Sequence, residues 1–233
     1  ESRHVIEPFI IPSGWHTIRA FDWGYSKPFC VLWGAVSDGS IVYVGGKQIV
    51  YPRGSVIIYR EYYGTTGKSN EGIKLTAGEI AQEIKNIQHE KIDDPVADPA
   101  IFDVSVGISI NEQMNKFGVF WRPADNKRVA GWQQIRNRLK GIDNKPLLYI
   151  FSDCKNLLRT LPMMQYDKTK PEDLDTKLED HALDTLRYLV MSRPLTIDLP
   201  KSIDDIAKEW YKDFNPHNVR ENLINNIIET DYE

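Results

Sequence analysis

The periodicity of the sequence changes at Thr76, and this change constrains the fold more than any other feature. Before it, residues 17–35 contain two short apolar and aromatic runs separated by a turn with Gly24 and Pro28. Residues 56–63 form a third run, rich in β-branched and aromatic side chains. Such runs, bounded by glycine and proline, are typical of β-strands joined by turns. The first part of the chain is therefore predicted to form three antiparallel strands.

Helical spacing begins at Thr76, which is suited to cap a helix because Glu79 follows three residues later, as in a capping box. From there on, strand-like and helical segments alternate. A short strand running into a turn is predicted at 95–102, further strands at 119–121 and 147–151, and helices at 108–117, 128–139, 155–161 and 178–191. We therefore predict an α/β fold, with a mixed sheet of three antiparallel strands followed by parallel strands, flanked by helices.

The length of 233 residues is enough for one sizeable domain or two small ones. We expect residues 17–194 to form the main domain, residues 1–16 to be a linker, and residues 195–233 to form an acidic, helical tail. No apolar run reaches the ~18 residues of a membrane span, and the first residues lack the pattern of a secretion signal. These absences argue against a membrane protein and predict a cytoplasmic location.

Cysteine usage and net charge exclude some classes of site. Cys30 and Cys154 lie far apart without further ligand-type residues at metal-binding spacing, so neither a zinc cluster nor a disulfide framework is expected. The net charge of -4 does not by itself indicate binding to nucleic acid. Between residues 122 and 140, however, cations stand against the single acid Asp125. This segment is either a basic binding face or a solvated helix face.

Acidic residues end two of the predicted strands. Asp22 follows an apolar run, where a lone buried carboxylate is costly unless a cation compensates it, although it could also be a turn residue. Asp98 ends a later strand, with Asp103 five residues on, and it could instead terminate the strand before Pro99. Because open α/β sheets bind ligands at strand ends, Asp22 and Asp98 are candidate metal ligands.

A third group of acids lies on the helix predicted at 178–191. Asp180 and Asp184 stand four residues apart, so they share one helix face and repel each other. The alternative is an acidic first turn with Arg187 as the partner of Asp184. Acids on a first strand, after a later strand and on a downstream helix suit two divalent ions about 3.5–4 Å apart. Mg²⁺ and Mn²⁺ prefer such oxygen ligands.

Five longer strings make the hypothesis more specific. They are IRAFDWGYSKPF (18–29), VADPAIFDVSVGISINEQM (96–114), FWRPADNKRVAGWQQIRNRL (120–139), LYIFSDCKNLLRTLP (148–162) and PEDLDTKLEDHALDTLRYLVMSRP (171–194). Together they resemble successive segments of the nuclease domain of tailed-phage terminase large subunits, which belongs to the ribonuclease H-like superfamily. The resemblance covers residues 17–194.

This resemblance implies a metal-dependent endonuclease that cuts double-stranded, concatemeric viral DNA with little sequence specificity. It implies two Mg²⁺ or Mn²⁺ ions, with Asp22 and Asp98 as ligands. The third ligand is Asp184 as first choice and Asp180 as second. His181 would support the ligands, and Asp103 would either join through a water molecule or cap the following turn.

Basic residues near this site would hold DNA phosphates without reading the base sequence. The candidates are Lys68, Arg122, Lys127, Arg128, Arg136, Arg138 and Lys140. The glycine-containing segment 41–55 could extend the sheet or form a projecting ribbon. As a ribbon, it would be a candidate for steering the duplex or gating the cleft.

The terminase motor has a phosphate-binding loop, G-x-x-x-x-G-K-[ST], which this sequence lacks: the string at 64–69 is too short between its glycines. The resemblance thus implies a separated nuclease domain that cuts without ATP. Its implied partners are DNA, the ATPase motor domain of the same polypeptide, the small terminase subunit and the portal ring, in the host cytoplasm and transiently on the procapsid. Two other classes stay open: another ribonuclease H-like nuclease, such as a resolvase or transposase-like enzyme, and a non-catalytic module that docks the portal or DNA.

Overall fold

The computed structural model describes residues 3–104, 107–163, 165, 172–174 and 178–195. The described residues all belong to one unit, which ends at Leu195. From residue 196 onward, the predicted acidic tail lies outside the described residues. None of the described helices is long and apolar enough to cross a membrane.

A mixed sheet of seven strands forms the centre of the molecule. Two further strands lie outside this sheet. In chain order the strands of the described residues are β1 (Val5–Ile6), β2 (His16–Asp22), β3 (Cys30–Val36), β4 (Ile41–Val44), β5 (Lys47–Val50), β6 (Val56–Tyr63), β7 (Asp94–Ala97), β8 (Arg122–Pro123) and β9 (Leu148–Phe151). The sheet has the order β1-β9-β6-β3-β2-β7-β8, and β4 and β5 form a separate ribbon. β2, β3 and β6 are antiparallel, and the other strands of the sheet join in parallel. The predicted mixed sheet is confirmed.

Helices cover both faces of this sheet. They are α1 (Ala77–Ile87), α2 (Ile110–Asn115), α3 (Arg128–Lys140), α4 (Lys155–Thr160) and α5 (His181–Met191), with 3-10 turns at Pro99–Phe102 and Leu161–Met163. Side chains alternate along β3: Trp33 donates to Gln88 at the end of α1 at 2.9 Å, whereas Gly34 faces Leu189 of α5. A Cβ at Gly34 would lie 3.0 Å from Leu189. The glycine therefore allows α5 to pack close to the sheet.

The structure sets the bounds of two predicted elements near the acids. The short strand predicted to run into a turn over 95–102 is β7, and the turn begins at Asp98, whose side chain accepts a hydrogen bond from the amide of Ala100 at 3.0 Å. The helix predicted over 178–191 begins at His181. Asp98 therefore follows a strand, and Asp180 precedes a helix rather than lying within it.

The prediction that residues 1–16 form a linker is wrong for their described part. β1 pairs in parallel with β9 at the edge of the sheet. Trp15 is 2% exposed, and Phe9 stacks on Tyr51 with ring centroids 5.5 Å apart. The main domain begins before residue 17, because these apolar side chains have partners in the core.

The ribbon of β4 and β5 leaves the sheet at the end opposite Asp22. β3 pairs with β2 so that Val36 lies opposite His16, whereas Cys30 lies opposite Asp22. The ribbon is inserted between Val36 and Val56. β2 has 7 residues, so its ends lie about 20 Å apart. The idea that this segment gates a cleft at the acidic site is therefore wrong.

A substitution on the ribbon tests this placement. Tyr43 of β4 is 65% exposed, so Tyr43→Ser removes its ring without opening a cavity. We expect the DNA cleavage implied by the resemblance to stay within about twofold of wild type, and Tm to change by less than about 3 °C. Plasmid cleavage and thermal melting measure the two quantities. A tenfold loss of cleavage in a folded Tyr43→Ser protein would return the ribbon to the functional site.

Candidate active site

Two parallel neighbours in the sheet bring Asp22 and Asp98 together. Phe21 of β2 is the register partner of Ala97 of β7, and the amide of Asp98 donates to the carbonyl of Phe21 at 3.0 Å. Asp22 is the last residue of β2, and Asp98 directly follows β7. Both acids therefore lie at the edge of the sheet where the carboxyl ends of β2 and β7 meet, the edge at which α/β sheets bind ligands.

The start of α5 lies over the same edge. α5 packs against β2 and β3, and Nδ1 of His181 is 3.1 Å from Oδ2 of Asp22. Asp180 precedes the helix, and the amide of Asp184 donates to the carbonyl of Asp180 at 2.8 Å. The structure thus brings together the acids predicted from a first strand, a later strand and a helix. Their role as metal ligands stays a prediction.

The electrostatics of Asp22 reflect this crowding. Asp22 is 7% exposed, and burial is the largest cause that raises its pKa from 3.8 to about 7. The hydrogen bond and charge of His181 lower this pKa, whereas the charges of Asp184 and Asp98 raise it. A bound cation would favour the charged form of Asp22.

Asp180 is a second buried carboxyl at this edge. It is 8% exposed, and its side chain makes no capping hydrogen bond to α5. Burial, followed by the charge of Asp184, raises the pKa of Asp180 to about 6, against the lowering effect of His181 and Arg128. Buried carboxyls with raised pKa values at the edge of a sheet are typical of functional sites.

His181 joins this edge to the loop of Lys68 through Asn70, a residue that sequence reasoning did not associate with the site. Its Nε2 is 3.1 Å from Oδ1 of Asn70, and its Nδ1 contacts Asp22. Burial lowers the pKa of His181, but the hydrogen bond to Asp22 and the charges of the surrounding carboxylates outweigh burial and raise it. In its protonated form the imidazole donates to both neighbours and partly neutralises Asp22.

Glu179 holds the same loop against α5. Its carboxylate accepts hydrogen bonds from Tyr63 at 2.8 Å and from the amide of Asn70 at 3.2 Å, and it pairs with Arg159. Burial raises the pKa of Glu179, but Arg159 and Tyr63 outweigh burial and lower it to about 2. Glu179 is thus a charged, well-satisfied anchor. Sequence reasoning missed Asn70, because a contact across 109 residues leaves no local signal.

Asp184 is held by two arginines. Nε and Nη2 of Arg187 lie 3.1 Å and 3.0 Å from its Oδ1. Nη1 of Arg128 lies 3.3 Å from both carboxylate oxygens. Arg128 also pairs with Asp173, through Nε at 3.0 Å from each oxygen. The pairing with Arg187 is the alternative that the sequence left open, whereas the acidic partners of Arg128 had no sequence signal.

The acids have the right ligand atoms for a divalent ion, but their side chains do not converge on one point. Across the part of the chain that the structure describes, no three His, Cys, Asp or Glu side chains stand close enough together to hold an ion. Asp184 contacts its arginines and Asp22 contacts His181 instead. The donors are nevertheless carboxylate oxygens, which suit hard ions such as Mg²⁺ and Mn²⁺. If Asp184 is a ligand, an ion would take the place of part of its arginine contacts.

Asp103 lies just beyond this group of acids. It is exposed, and its amide donates to the carbonyl of Ala100 at 3.2 Å. Asp103 therefore ends the 3-10 turn that Asp98 begins, whereas the sequence had suggested that it caps the turn that follows. A contact with the site through water stays a prediction.

Three of the predicted DNA-contacting cations belong to segments that contact the acidic edge. Lys68 is 79% exposed in the loop that α5 anchors. Lys127 and Arg128 stand at the start of α3, where Arg128 reaches Asp184. Arg122 lies in β8 beside the last residues of β7, but its guanidinium pairs with Asp94 at the start of β7 and so points away from Asp98. Lys68, Lys127 and Arg128 are therefore the cations placed to meet a polyanion that approaches the acids.

The prediction that Arg138 contacts DNA is wrong. Arg138 is 2% exposed. Its guanidinium donates to the carbonyl of Gly54 at 3.0 Å and to the carbonyl of Arg193. Burial lowers the pKa of Arg138 to about 10. Arg138 is therefore a structural residue that satisfies backbone carbonyls.

Arg136 and Lys140 lie in the last turns of α3, away from the acids. α3 has 13 residues, so its ends lie about 18 Å apart. The amide of Leu147, just before β9 begins, donates to the carbonyl of Arg138 at 2.8 Å. Because β9 runs parallel to β6, this is the end of the sheet opposite Asp22.

Comparison with solved structures relates this geometry to known proteins. The structure is similar to a large terminase from a thermophilic bacteriophage, with a TM-score of 0.59 and 19% identity over 83% of this chain. It is also similar to the P22 large terminase nuclease domain, with a TM-score of 0.56 and 14% identity over 83% of this chain. This chain has the fold of a large terminase nuclease domain. The large terminase nuclease of thermophilic phage G20c, solved with bound cobalt, matches with a TM-score of 0.51 and 12% identity over 82% of this chain.

The matches cover different shares of the solved chains. The chain spans 42% of the first of these large terminases, but 89% of the P22 nuclease domain and 94% of the G20c nuclease. No family model matches the sequence, and no curated protein matches it significantly. The likeness to large terminase nuclease domains therefore confirms the predicted architecture.

Proposed function

We propose that this chain is the nuclease domain of a phage DNA-packaging terminase, and that it cuts double-stranded, concatemeric viral DNA with little sequence specificity. The reaction is hydrolysis of phosphodiester bonds assisted by divalent ions. The observation that carries the proposal is the meeting of Asp22, Asp98 and the start of α5 at one edge of a terminase-type nuclease fold. Mutually repelling acids at such an edge suit a two-metal hydrolase.

The proposed ligands are Asp22, Asp98 and one acid from the start of α5. Asp184 is the first candidate for this third position, and Asp180 is the second. Asp180 makes no capping hydrogen bond, whereas Asp184 has to release Arg128 before it binds an ion. Two Mg²⁺ or Mn²⁺ ions would supply an activated water and stabilise the leaving 3′ oxygen. The cobalt bound to the G20c nuclease supports the use of a divalent ion.

His181 and Asp103 are proposed to support the site rather than to hold ions directly. His181 contacts Oδ2 of Asp22 with one ring nitrogen and Asn70 with the other, so its ring orientation is fixed from both sides. It thereby orients the Asp22 carboxylate and offsets part of its charge. Asp103, an exposed residue just beyond the acids, would act only through water.

The proposed phosphate contacts come from the cations at the acidic edge. They are Lys68, Lys127 and Arg128, joined by Arg122 if its guanidinium leaves Asp94. Contacts of this kind position a duplex and carry no sequence information, in keeping with the low specificity proposed. Arg136 and Lys140 are left out of this set, because they lie in the far turns of α3.

The proposed partners follow from the whole terminase rather than from this chain. They are double-stranded DNA, an ATPase motor domain in the same polypeptide, a small terminase subunit and a portal ring. The match to 42% of a thermophilic-phage large terminase supports a motor domain elsewhere in the polypeptide. The proposed location is the host cytoplasm, and transiently the procapsid.

Cleavage of supercoiled plasmid at low salt tests the proposed activity. Wild type should nick and linearise the plasmid with Mg²⁺ or Mn²⁺ and leave it intact with chelator. Asp98→Asn should lower the rate by at least about 100-fold, because a lost ligand displaces an ion whose charge stabilises the transition state. Asp180→Asn and Asp184→Asn are compared in the same assay, and the variant that matches Asp98→Asn identifies the third ligand.

Asp153→Asn is the matched control, because it removes an exposed acid in the turn after β9, and it should cut like wild type. Wild type that stays inert at high enzyme concentration with Mn²⁺, or Asp98→Asn that cuts equally well, would overturn the proposal. In the first case, binding to a portal ring becomes the next experiment. Strong preference for a four-way junction over plain duplex would favour a resolvase instead.

A further inference from the structure

The two arginines that hold Asp184 differ in how firmly they are placed. Arg187 is 2% exposed, and besides contacting Asp184 it donates to the carbonyl of Asn126 at 2.7 Å. Both arginines lie over the ring of Trp132, but Arg187 also lies over the ring of Tyr188, 4.5 Å from the centroid. These contacts make Arg187 a fixed part of the core, and it engages Oδ1 of Asp184.

Arg128 holds Asp184 more loosely and from the solvent side. Its side chain is 27% exposed, and its contacts of 3.3 Å to the two oxygens of Asp184 are longer than the 3.0 Å contacts to Asp173. Oδ2 of Asp184 is reached by Arg128 and not by the fixed contacts of Arg187. Arg128 is therefore the guanidinium that an incoming cation would replace.

Arg128 also has an unused hydrogen-bond donor. Within the described part of the chain, its Nη2 is buried and has no hydrogen-bond partner. A buried donor without a partner costs free energy, which an acceptor arriving with a ligand would recover. Arginine donors pair readily with phosphate oxygens in two-point contacts. Arg128 thus makes only long contacts to the carboxylate of Asp184, and an anionic ligand could offer its guanidinium stronger hydrogen bonds.

We propose that Arg128 is a positioning residue that competes with divalent ions for Asp184 when DNA is absent. When an ion takes Asp184, the guanidinium of Arg128 turns to a DNA phosphate. This inference rests on the proposed nuclease function. By linkage, each ligand then binds more tightly in the presence of the other. The domain would hold its ions weakly until DNA arrives, which limits cutting to DNA-bound protein.

Calorimetric titration with Mn²⁺ in the absence of DNA tests the competition without relying on activity. Arg128→Gln should bind Mn²⁺ about three- to tenfold more tightly than wild type, since the competing guanidinium and its repulsion of the ion are both removed. Lys127→Gln removes the same charge from the adjacent position, where the ammonium pairs with Asp125 instead. It should change the Mn²⁺ affinity by less than about twofold, because an exposed charge is screened by solvent.

Arg128→Lys keeps the charge but loses the fork that reaches both carboxylates, so its Mn²⁺ affinity should fall between wild type and Arg128→Gln. This variant keeps the test informative if Arg128→Gln fails to fold. A second readout is the affinity for a short duplex, with and without divalent ion, under conditions where the duplex is recovered uncut. The ion should strengthen duplex binding more in wild type than in Arg128→Gln.

The outcomes separate this inference from the proposed function. If wild type binds Mn²⁺, Asp22→Asn abolishes that binding, and Arg128→Gln binds Mn²⁺ no more tightly than wild type, the inference about Arg128 fails while the nuclease proposal stands. If wild type shows no Mn²⁺ binding that depends on Asp22, with or without DNA, the proposed metal-dependent function fails and the inference fails with it. A gain in Lys127→Gln equal to that in Arg128→Gln would show a general charge effect and would overturn direct competition.

Discussion

Asp22→Asn is expected to lose plasmid cleavage by about 1000-fold or more and, at the same time, to stabilise the metal-free protein at pH 8. The two effects have one origin. The site places a carboxyl where burial and the neighbouring acids Asp184 and Asp98 oppose its charge. An ion would make use of that charge, and without an ion the charge only destabilises the fold.

The sign of the pH dependence follows from the pKa of Asp22, which is raised from 3.8 to about 7 in the folded protein. Between these values the folded state holds its proton and the unfolded state has lost it, so the free energy of unfolding falls as pH rises. Below pH 3.8 the stabilisation is fully present, and above pH 7 it is lost. The free-energy advantage of Asp22→Asn should therefore grow across this window, to the order of 2–4 kcal/mol.

Thermal melts in chelator at pH 5 and pH 8 measure this difference, with the plasmid assay run on the same preparations. Asp153→Asn is again the control for the removal of one exposed acid. An Asp22→Asn protein that cuts DNA would remove Asp22 from the ligand set. Equal pH dependence in wild type and Asp22→Asn would show that this carboxyl is not strained by its surroundings.

Arg187→Met should lower the free energy of unfolding by about 3–5 kcal/mol, the range typical when one partner of a buried ion pair is removed. The substitution leaves the carbonyl of Asn126 without its donor and leaves Asp184 with Arg128 alone. The side chain is closely packed as well: a Cβ at Gly131 would lie 2.3 Å from Cγ of Arg187. Methionine fills similar volume, so the loss reports mainly on charge and hydrogen bonding.

Urea unfolding of wild type and Arg187→Met gives this free energy directly, provided that the m-value is unchanged. Lys140→Met is the control: it removes a positive charge at an exposed position of α3, and it should change the free energy by less than about 0.5 kcal/mol. A loss below about 1 kcal/mol in Arg187→Met would mean that the pair adds little to the fold.

The sequence by itself determined those features whose signals are local. The apolar and aromatic runs before Thr76 became β2, β3 and β6, and the capping box of Thr76 and Glu79 is present at the start of α1. Both depend on neighbours a few residues apart, which periodicity and capping chemistry report. β1 escaped prediction, because a two-residue strand carries no periodic pattern, and the strand predicted at 119–121 was placed just before β8.

The sequence also placed Asp22 and Asp98 at strand ends, since an acid that ends an apolar run is visible in the sequence. That the two ends lie side by side depends on β7 joining β2 in parallel. The position of the ribbon shows the same limit. Its glycines marked a turn, but only the strand register placed it at the end opposite Asp22.

Only the tertiary structure decided which charges face one another. From the sequence, Arg138 was predicted to be one more exposed cation on a basic helix, yet it is buried against backbone carbonyls. Arg128 contacts Asp173 and Asp184, which lie 45 and 56 residues further along the chain. Asn70 reaches His181 across 111 residues. Strand and capping preferences depend on residues that are close in sequence. The partner of a charge depends instead on which distant segments the packed sheet brings within a few ångströms.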